Sequence, residues 1–187
     1  QAMRIYGANL VEIPMDEEGM DMAALRRAID EYRPKMLYTI PNFQNPTGVT
    51  LAVERRKEIA ALAAQYGFVV AEDDPYRALR YSGEHLPTIF SFDTEGLVVY
   101  LTSFSKLISP GLRVGSAVVK NPALMRKLVV GKQSTDLHTP TLSQAIVAEY
   151  LARGLLPAHM AKILAMYREQ LALMQRELAA LPVRVYP

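Results

Sequence analysis

The chain of 187 residues contains no cysteine, which excludes disulfides, thiolate metal sites and cysteine nucleophiles. Its three histidines, His85, His138 and His159, lack the spacing of metal ligands, so we interpret them as surface or loop residues and expect no metal. No apolar run approaches the roughly 20 residues that span a bilayer. No signal-peptide pattern stands at the start, so we expect a cytoplasmic protein with no membrane partner.

An excess of charge of one sign is also lacking, because 21 Lys and Arg are balanced by 19 Asp and Glu. No basic stripe for nucleic acid is found, and Arg55, Arg56 and Lys57 are interpreted as a solvated helix face. Motifs of the form Gly-x-Gly-x-x-Gly, P-loop and Gly-x-Ser-x-Gly are missing, which argues against those nucleotide-binding and hydrolase classes. The chain does have a hydrophobic content of 50% and a length sufficient for one domain with a core.

Apolar segments alternate with amphipathic helices along the first part of the chain. One helix is predicted between Asp21, its N-cap, and Pro34, and a second between Thr50, its N-cap, and Gly67. Strands are predicted at residues 8–13, 36–40, 68–71, 97–101 and 114–119, the last at an edge or antiparallel. This alternation predicts an α/β fold, a three-layer sandwich in which a mainly parallel, mixed sheet has helices on both faces.

The last third of the chain is predicted to be helical, at residues 122–137, 141–152 and from 156 onward. In the final helix apolar residues recur every three or four positions, which indicates one continuous packing stripe. Its members are Leu156, Met160, Ile163, Tyr167, Leu171, Met174, Leu178 and Leu181. Residues 183–186 have the pattern of a further strand.

Polar clusters follow three of the predicted strands, at residues 42–48, 73–76 and 103–106. In open parallel sheets, ligands bind beyond the carboxyl ends of the strands. We therefore expect the three clusters to converge on one edge of the sheet and to form a site there.

The cluster after the fourth strand combines Lys106 with Ser103, Ser105 and Arg113. Two hydroxyls and a guanidinium suit a dianionic group such as a phosphate. An amine at the end of a buried strand is costly to bury as an ammonium. A lysine beside a phosphate site can instead hold an aldehyde cofactor as a Schiff base. Taken alone, the same residues also fit a strand that runs into a polar loop.

The other two clusters supply groups that suit an aromatic ring nitrogen and a ring hydroxyl. A carboxylate at Asp73 can pair with a protonated ring nitrogen, which makes the ring an electron sink. Asn45 and Tyr76 can donate hydrogen bonds to a ring hydroxyl. Singly, Asp73 and Asp74 could be strand-end caps, the segment 45–48 a simple turn, and Arg113 an ion-pair partner. Together, and at strand ends, the residues describe a site for pyridoxal phosphate.

Three motifs carry a resemblance to a known family: Asn45-Pro46-Thr47-Gly48, Asp73-Asp74-Pro75-Tyr76, and Ser103-Phe104-Ser105-Lys106 with Arg113. The chain resembles the large domain of class I/II aminotransferases, which are fold-type-I enzymes dependent on pyridoxal 5'-phosphate. The longer form Pro41-Asn42-Phe43-Gln44-Asn45-Pro46 is similar to the aminoadipate and kynurenine aminotransferase branch. It is also similar to the aminotransferase-like domains of GntR-type regulators.

The resemblance implies a role for each site residue in moving an amino group between an L-amino acid and a 2-oxo acid. It implies a Schiff base on Lys106, with Asp73 on the ring nitrogen and Tyr76 on the ring hydroxyl, and it makes these three the catalytic residues. The remaining cofactor-binding residues would be Asn45 on the hydroxyl and, on the phosphate, Ser103, Ser105 and Arg113.

The resemblance also implies a division of the chain. Residues 1–155 would be part of the cofactor-binding large domain, residues 156–181 a long connector helix, and residues 182–187 the start of a small domain. The rest of the phosphate site, the aromatic that stacks on the ring and the arginine for the substrate carboxylate would lie outside this stretch. The full protein would be a homodimer, and this piece alone inactive. Two alternatives stay open: a sensing domain of a GntR-type regulator, and a lyase that uses the same cofactor and fold.

Overall fold

The computed structural model describes residues 2–182. It begins with a short helix, α1 (Ala2–Ile5), and an antiparallel hairpin of β1 (Met15–Asp16) and β2 (Gly19–Met20). The predicted strand at residues 8–13 is wrong, because that segment forms no strand. An apolar run becomes a strand only where a neighbouring strand pairs with its backbone, and here Leu10 and Val11 stay exposed.

Two helices lie at the predicted positions, and the predicted N-cap of the first is confirmed. Helix α2 (Met22–Tyr32) is capped by Asp21, whose carboxylate accepts hydrogen bonds from the backbone N–H groups of Ala23 and Ala24. Helix α3 (Val53–Tyr66) ends at Gly67, which adopts the left-handed conformation with φ 74°.

The predicted cap of α3 at Thr50 is wrong. The residue at the N-cap position is Ala52, which offers no side-chain oxygen. Thr50 lies two residues before this position, and its hydroxyl instead accepts a hydrogen bond from the backbone N–H of Phe43 at 3.3 Å. It therefore stabilises the loop before the helix rather than the helix itself.

Among the described residues the main sheet has four strands, in the spatial order β3 (Met36–Thr39), β4 (Val69–Asp73), β5 (Val98–Ser103) and β6 (Gly115–Val119). The first three are parallel, and β6 lies antiparallel to β5 at the edge, which confirms the predicted mainly parallel, mixed sheet.

Both faces of the two central strands are buried. Val70 and Val98 pack into the core beneath α2 and α3, whereas Ala71 and Val99 point to the opposite face and are buried there as well. Fully buried residues of this core include Ile29, Ile59, Phe68 and Ile89. Burial on both faces is what the near-continuous apolar runs of these strands indicate.

Three helices complete the described chain: α4 (Pro122–Asp136), α5 (Thr141–Ala152) and α6 (Leu156–Leu178). All three were predicted. None of the described helices is both long enough and apolar enough to cross a membrane. Along α6 the apolar stripe changes from buried to exposed, since Met160 is 9% and Met174 59% exposed. The strand predicted at residues 183–186 lies outside the described residues, and the division into domains stays a prediction.

Candidate active site at the carboxyl ends of the parallel strands

The parallel strands β3, β4 and β5 end side by side, at Thr39, Asp73 and Ser103. In the register of the sheet Asp73 lies opposite Leu101, so Ser103 is only two residues further along the neighbouring strand. That separation is about 7 Å along the strand. The polar groups that follow β4 and β5 therefore share one edge of the sheet, as expected from the parallel arrangement.

Asp73 is held from the neighbouring strand by Tyr38, a residue that the sequence analysis missed. The Tyr38 hydroxyl donates a hydrogen bond of 2.6 Å to Asp73 Oδ2. Tyr38 lies opposite Ala71, so it is on the same face of the sheet as Asp73, two residues later. Partial burial of the phenol, followed by the hydrogen bond to Asp73, raises the pKa of Tyr38, so the phenol stays a donor at neutral pH.

The serines and the arginine of the predicted phosphate site form one cluster. Ser103 Oγ accepts a hydrogen bond from the backbone N–H of Ser105 at 3.1 Å. Arg113 Nη1 donates to Ser105 Oγ at 3.3 Å and to the carbonyl oxygen of Pro110 at 3.2 Å. Hydrogen bonds thus link Ser103 to Ser105 and Ser105 to Arg113, and the two hydroxyls with the guanidinium are a donor set suited to a phosphate.

A close approach of β5 and β6 brings Arg113 back beside the serines. Gly115 pairs with Ser103 across the two strands, and a Cβ at Gly115 would lie 2.9 Å from the carbonyl oxygen of Thr102. Only glycine leaves room for that carbonyl. The absence of a side chain at Gly115 therefore keeps the segment with Arg113 next to the end of β5.

Lys106 lies in the tight turn that follows β5. The carbonyl oxygen of Phe104 accepts the N–H groups of Leu107, Ile108 and Ser109, which closes the turn. β5 ends at Ser103, and the turn that follows it leaves the Lys106 side chain exposed, so the cost of burying an ammonium does not arise here. An exposed amine at the edge of the sheet is open to a ligand there.

Asn45 and Tyr76 lie in the loops that follow β3 and β4. Asn45 is exposed and precedes a cis peptide bond to Pro46. Tyr76 lines a cavity of about 890 Å³, which is also lined by Thr47 and Gly48 from the same loop as Asn45. Within residues 2–182 neither side chain forms a hydrogen bond with Asp73 or Ser105, although Tyr76 is close enough to Tyr38 to contribute to its raised pKa.

A buried arginine joins the loop after β3 to the body of the domain. Arg56 is fully buried, which overturns its interpretation as part of a solvated helix face. Its guanidinium donates to the carbonyl oxygens of Leu51, Pro41 and Pro87 and to Asn42 Oδ1. Burial lowers the pKa of Arg56 to about 10, so it remains charged at neutral pH. The residue type alone gave no sign of this, because the carbonyl groups of Pro41 and Pro87 come from other loops, 15 and 31 residues away.

The same network reaches the end of β4 through Asn42. Asn42 Nδ2 donates a hydrogen bond of 2.8 Å to Asp74 Oδ1, and the Tyr100 hydroxyl contacts Asp74 Oδ2 at 3.4 Å. Asp74 is buried, and burial raises the pKa of its carboxyl group. One face of the β4 end therefore anchors the loop after β3, while Asp73 on the other face is open to a ligand.

The chain belongs to the aminotransferase class I and II family, whose sequence profile matches residues 1–186. It is 44% identical over 173 residues to aromatic-amino-acid aminotransferase 1 of Thermococcus litoralis, covering 90% of this chain and 41% of that protein. It is also similar to the crystal structure of LysN, an α-aminoadipate aminotransferase of Thermus thermophilus complexed with N-(5'-phosphopyridoxyl)-L-leucine. That match has a TM-score of 0.88 and 41% identity, and covers 95% of this chain and 46% of that one.

A third relative is named as a transcriptional regulator rather than as an aminotransferase. An uncharacterised HTH-type transcriptional regulator of Bacillus subtilis is 35% identical over 163 residues, covering 86% of this chain and 34% of that protein. The chain thus spans about two fifths of the length of the first curated relatives that it matches.

Pyridoxal 5'-phosphate is the cofactor of the family, and the residues present fit it. The cluster of Ser103, Ser105 and Arg113 offers hydroxyl and guanidinium donors to a phosphate. Asp73 offers a carboxylate from the adjacent strand end, and Lys106 an accessible amine. These are the donor and acceptor types that the phosphate, ring nitrogen and aldehyde of the cofactor require.

Proposed function

We propose that the full-length protein transfers an amino group between an L-amino acid and a 2-oxo acid with pyridoxal 5'-phosphate as its cofactor. One observation carries the proposal: Asp73 and the cluster of Ser103, Ser105 and Arg113 lie at the ends of adjacent parallel strands. A carboxylate next to a site for a dianion is the arrangement that a phosphorylated, protonated pyridine ring needs. Membership of the family supports the same conclusion.

Each site residue has a distinct task in this proposal. The bound cofactor supplies an electron-withdrawing ring. Asp73 keeps the proton on the ring nitrogen, Asn45 and Tyr76 donate hydrogen bonds to the ring hydroxyl, and the phosphate is held by Ser103, Ser105 and Arg113. Lys106 would hold the cofactor aldehyde as a Schiff base, formed with loss of water. Once the substrate amine has displaced it, the Lys106 amine would carry the proton from the substrate α-carbon to the cofactor.

Lys106 is the residue to test first. In the full-length protein, Lys106→Ala should lower the rate of amino-group transfer by at least about 100-fold, since a positioned acid–base group contributes about 10²- to 10⁴-fold. Reduction of the loaded wild-type protein with borohydride, followed by peptide mass spectrometry, should locate the cofactor on Lys106. The matched control is Lys132→Ala, which removes an exposed lysine of α4. A Lys106→Ala protein with the wild-type rate would contradict the assignment.

A second candidate function is a sensing domain that binds the cofactor or an amino acid without transferring the amino group. It is favoured by the similarity to the HTH-type regulator of Bacillus subtilis. The same transfer assay separates the two candidates. Cofactor bound to Lys106 without turnover of any tested amino acid would favour the sensor, whereas turnover that depends on Lys106 favours the enzyme.

A further inference from the structure

The two adjacent carboxylates at the end of β4 are each contacted by a tyrosine from a neighbouring strand. Tyr38 of β3 donates to Asp73 Oδ2, and Tyr100 of β5 contacts Asp74 Oδ2. Side chains alternate along a strand, so the two pairs lie on opposite faces of the sheet. Asp74 is buried, whereas Asp73 is partly exposed. Asp73 is therefore the carboxylate that can meet a ligand, and Tyr38 is the side chain that holds it.

We propose that Tyr38 is a positioning residue, which orients the Asp73 carboxylate so that its other oxygen faces the ring nitrogen of the cofactor. The proposal rests on the function proposed above for Asp73. The hydrogen bond of 2.6 Å occupies Oδ2. Within the described chain Oδ1 accepts no hydrogen bond, so the bond to Tyr38 selects which oxygen is presented to a ligand.

Orientation, rather than charge, is what the tyrosine supplies. If the hydroxyl were removed, water could reach the partly exposed carboxylate and restore a hydrogen bond to Oδ2. Water would not, however, fix the carboxylate's direction, because it is not attached to the sheet. Tyr38 is attached, since β3 pairs with β4 along four residues from Met36 to Thr39. Loss of the hydroxyl should therefore loosen the pairing of Asp73 with the ring and weaken it.

The hydroxyl acts as a donor over the whole working range of pH. The raised pKa of Tyr38 keeps it protonated, and an ionised carboxylate can only accept. The direction of the bond, from Tyr38 to Asp73, thus does not change as the pH varies around neutrality. A pH-dependent change in the cofactor's ring then reports on Asp73 and its orientation, not on titration of the tyrosine.

The test uses the full-length protein and pyridoxamine 5'-phosphate, which has the ring and phosphate but no aldehyde to react with Lys106. Tyr38→Phe should raise its dissociation constant by about 3- to 10-fold, the scale of one hydrogen bond. The absorbance of the bound ligand should also show that its ring nitrogen loses the proton at a lower pH. Tyr100→Phe, the matched control, removes the hydroxyl that contacts Asp74 and should change the dissociation constant by less than about twofold.

A double-mutant cycle separates positioning from a general structural effect. In an Asp73→Ala background, Tyr38→Phe should cause no further loss of affinity, because the group it orients is gone. A loss that persists in that background, or an unchanged affinity and ring titration in Tyr38→Phe, would overturn the proposal for Tyr38. Failure of the wild-type protein to bind pyridoxamine 5'-phosphate at all would instead overturn the proposed function, and the role of Tyr38 with it.

Discussion

At the scale of single residues, the end of β4 carries two adjacent carboxylates with different roles: one stabilises the fold and the other is accessible to a ligand. Asp74 is buried and binds Asn42, which is in turn bound by Arg56. Asp73, the next residue back, points to the other face and stays accessible. The guanidinium of Arg56 donates to three backbone carbonyls, and of these the Pro41 carbonyl also accepts the N–H of Leu51. It therefore carries more of the local stability than a surface arginine would.

Replacement of Arg56 should destabilise the fold strongly. Arg56→Met keeps the aliphatic stem but removes the donor to the carbonyl oxygens of Leu51 and Pro87 and the 2.9 Å bond to Asn42 Oδ1, so we expect a loss of about 3 kcal/mol in the free energy of unfolding. Arg27→Met, on the exposed side of α2, should change it by less than about 0.5 kcal/mol. Urea unfolding followed by circular dichroism measures both. Equal midpoints for the two variants would show that the buried network contributes little.

At the scale of secondary-structure elements, the features that could be predicted are those determined by residues close in sequence. The cap at Asp21 and the end of α3 at Gly67 follow from the residues beside them, and both predictions are confirmed. The strand at residues 8–13 needed a partner strand that the local pattern could not supply. Tyr38 and Asp73 are 35 residues apart, and their contact follows from the sheet register, which no local pattern reveals.

The pairing of β5 with β6 gives a prediction at this scale. Gly115→Ala should force the strands apart, since the new Cβ would meet the Thr102 carbonyl oxygen at 2.9 Å, and Arg113 should move away from Ser105. We expect about 1–3 kcal/mol of destabilisation. We also expect weaker binding of pyridoxamine 5'-phosphate by the full-length protein, measured by titration.

Helix α4 provides the control for that variant. Nothing lies within 4 Å of a Cβ added at Gly131, and alanine is the better helix former, so Gly131→Ala should stabilise by up to about 1 kcal/mol. It should leave the affinity for the ligand unchanged. If Gly115→Ala bound the ligand as tightly as Gly131→Ala, the close approach of β5 and β6 would not be what positions Arg113.

At the scale of the whole molecule, large apolar side chains remain uncovered on the helical part of the described chain. They include Val130 of α4, Leu142 and Ile146 of α5, and Met174 of α6. Exposed apolar surface of this extent indicates contact with further protein. The connector helix that the family resemblance implies would explain the exposure near Met174, and a second subunit is one source of cover for the rest.

We expect the full-length protein to be a symmetric homodimer, as the family resemblance implies. Multi-angle light scattering after size-exclusion chromatography should give twice the mass of one chain across the concentrations used for the transfer assay. Addition of pyridoxamine 5'-phosphate should not change that mass if the dimer forms independently of the ligand. A mass of one chain under assay conditions would contradict this expectation.

The two tyrosine–aspartate pairs also constrain how β4 can change its length. Since consecutive residues face opposite sides, the parity of the strand decides which carboxylate is delivered to the ligand and which to the buried network. Deletion of one residue between Val69 and Glu72 would exchange the two destinations, even if the sheet still formed. Deletion or insertion of two residues would preserve them. Insertions or deletions in this strand should therefore preserve the two destinations when they change its length by an even number of residues and exchange them when the number is odd.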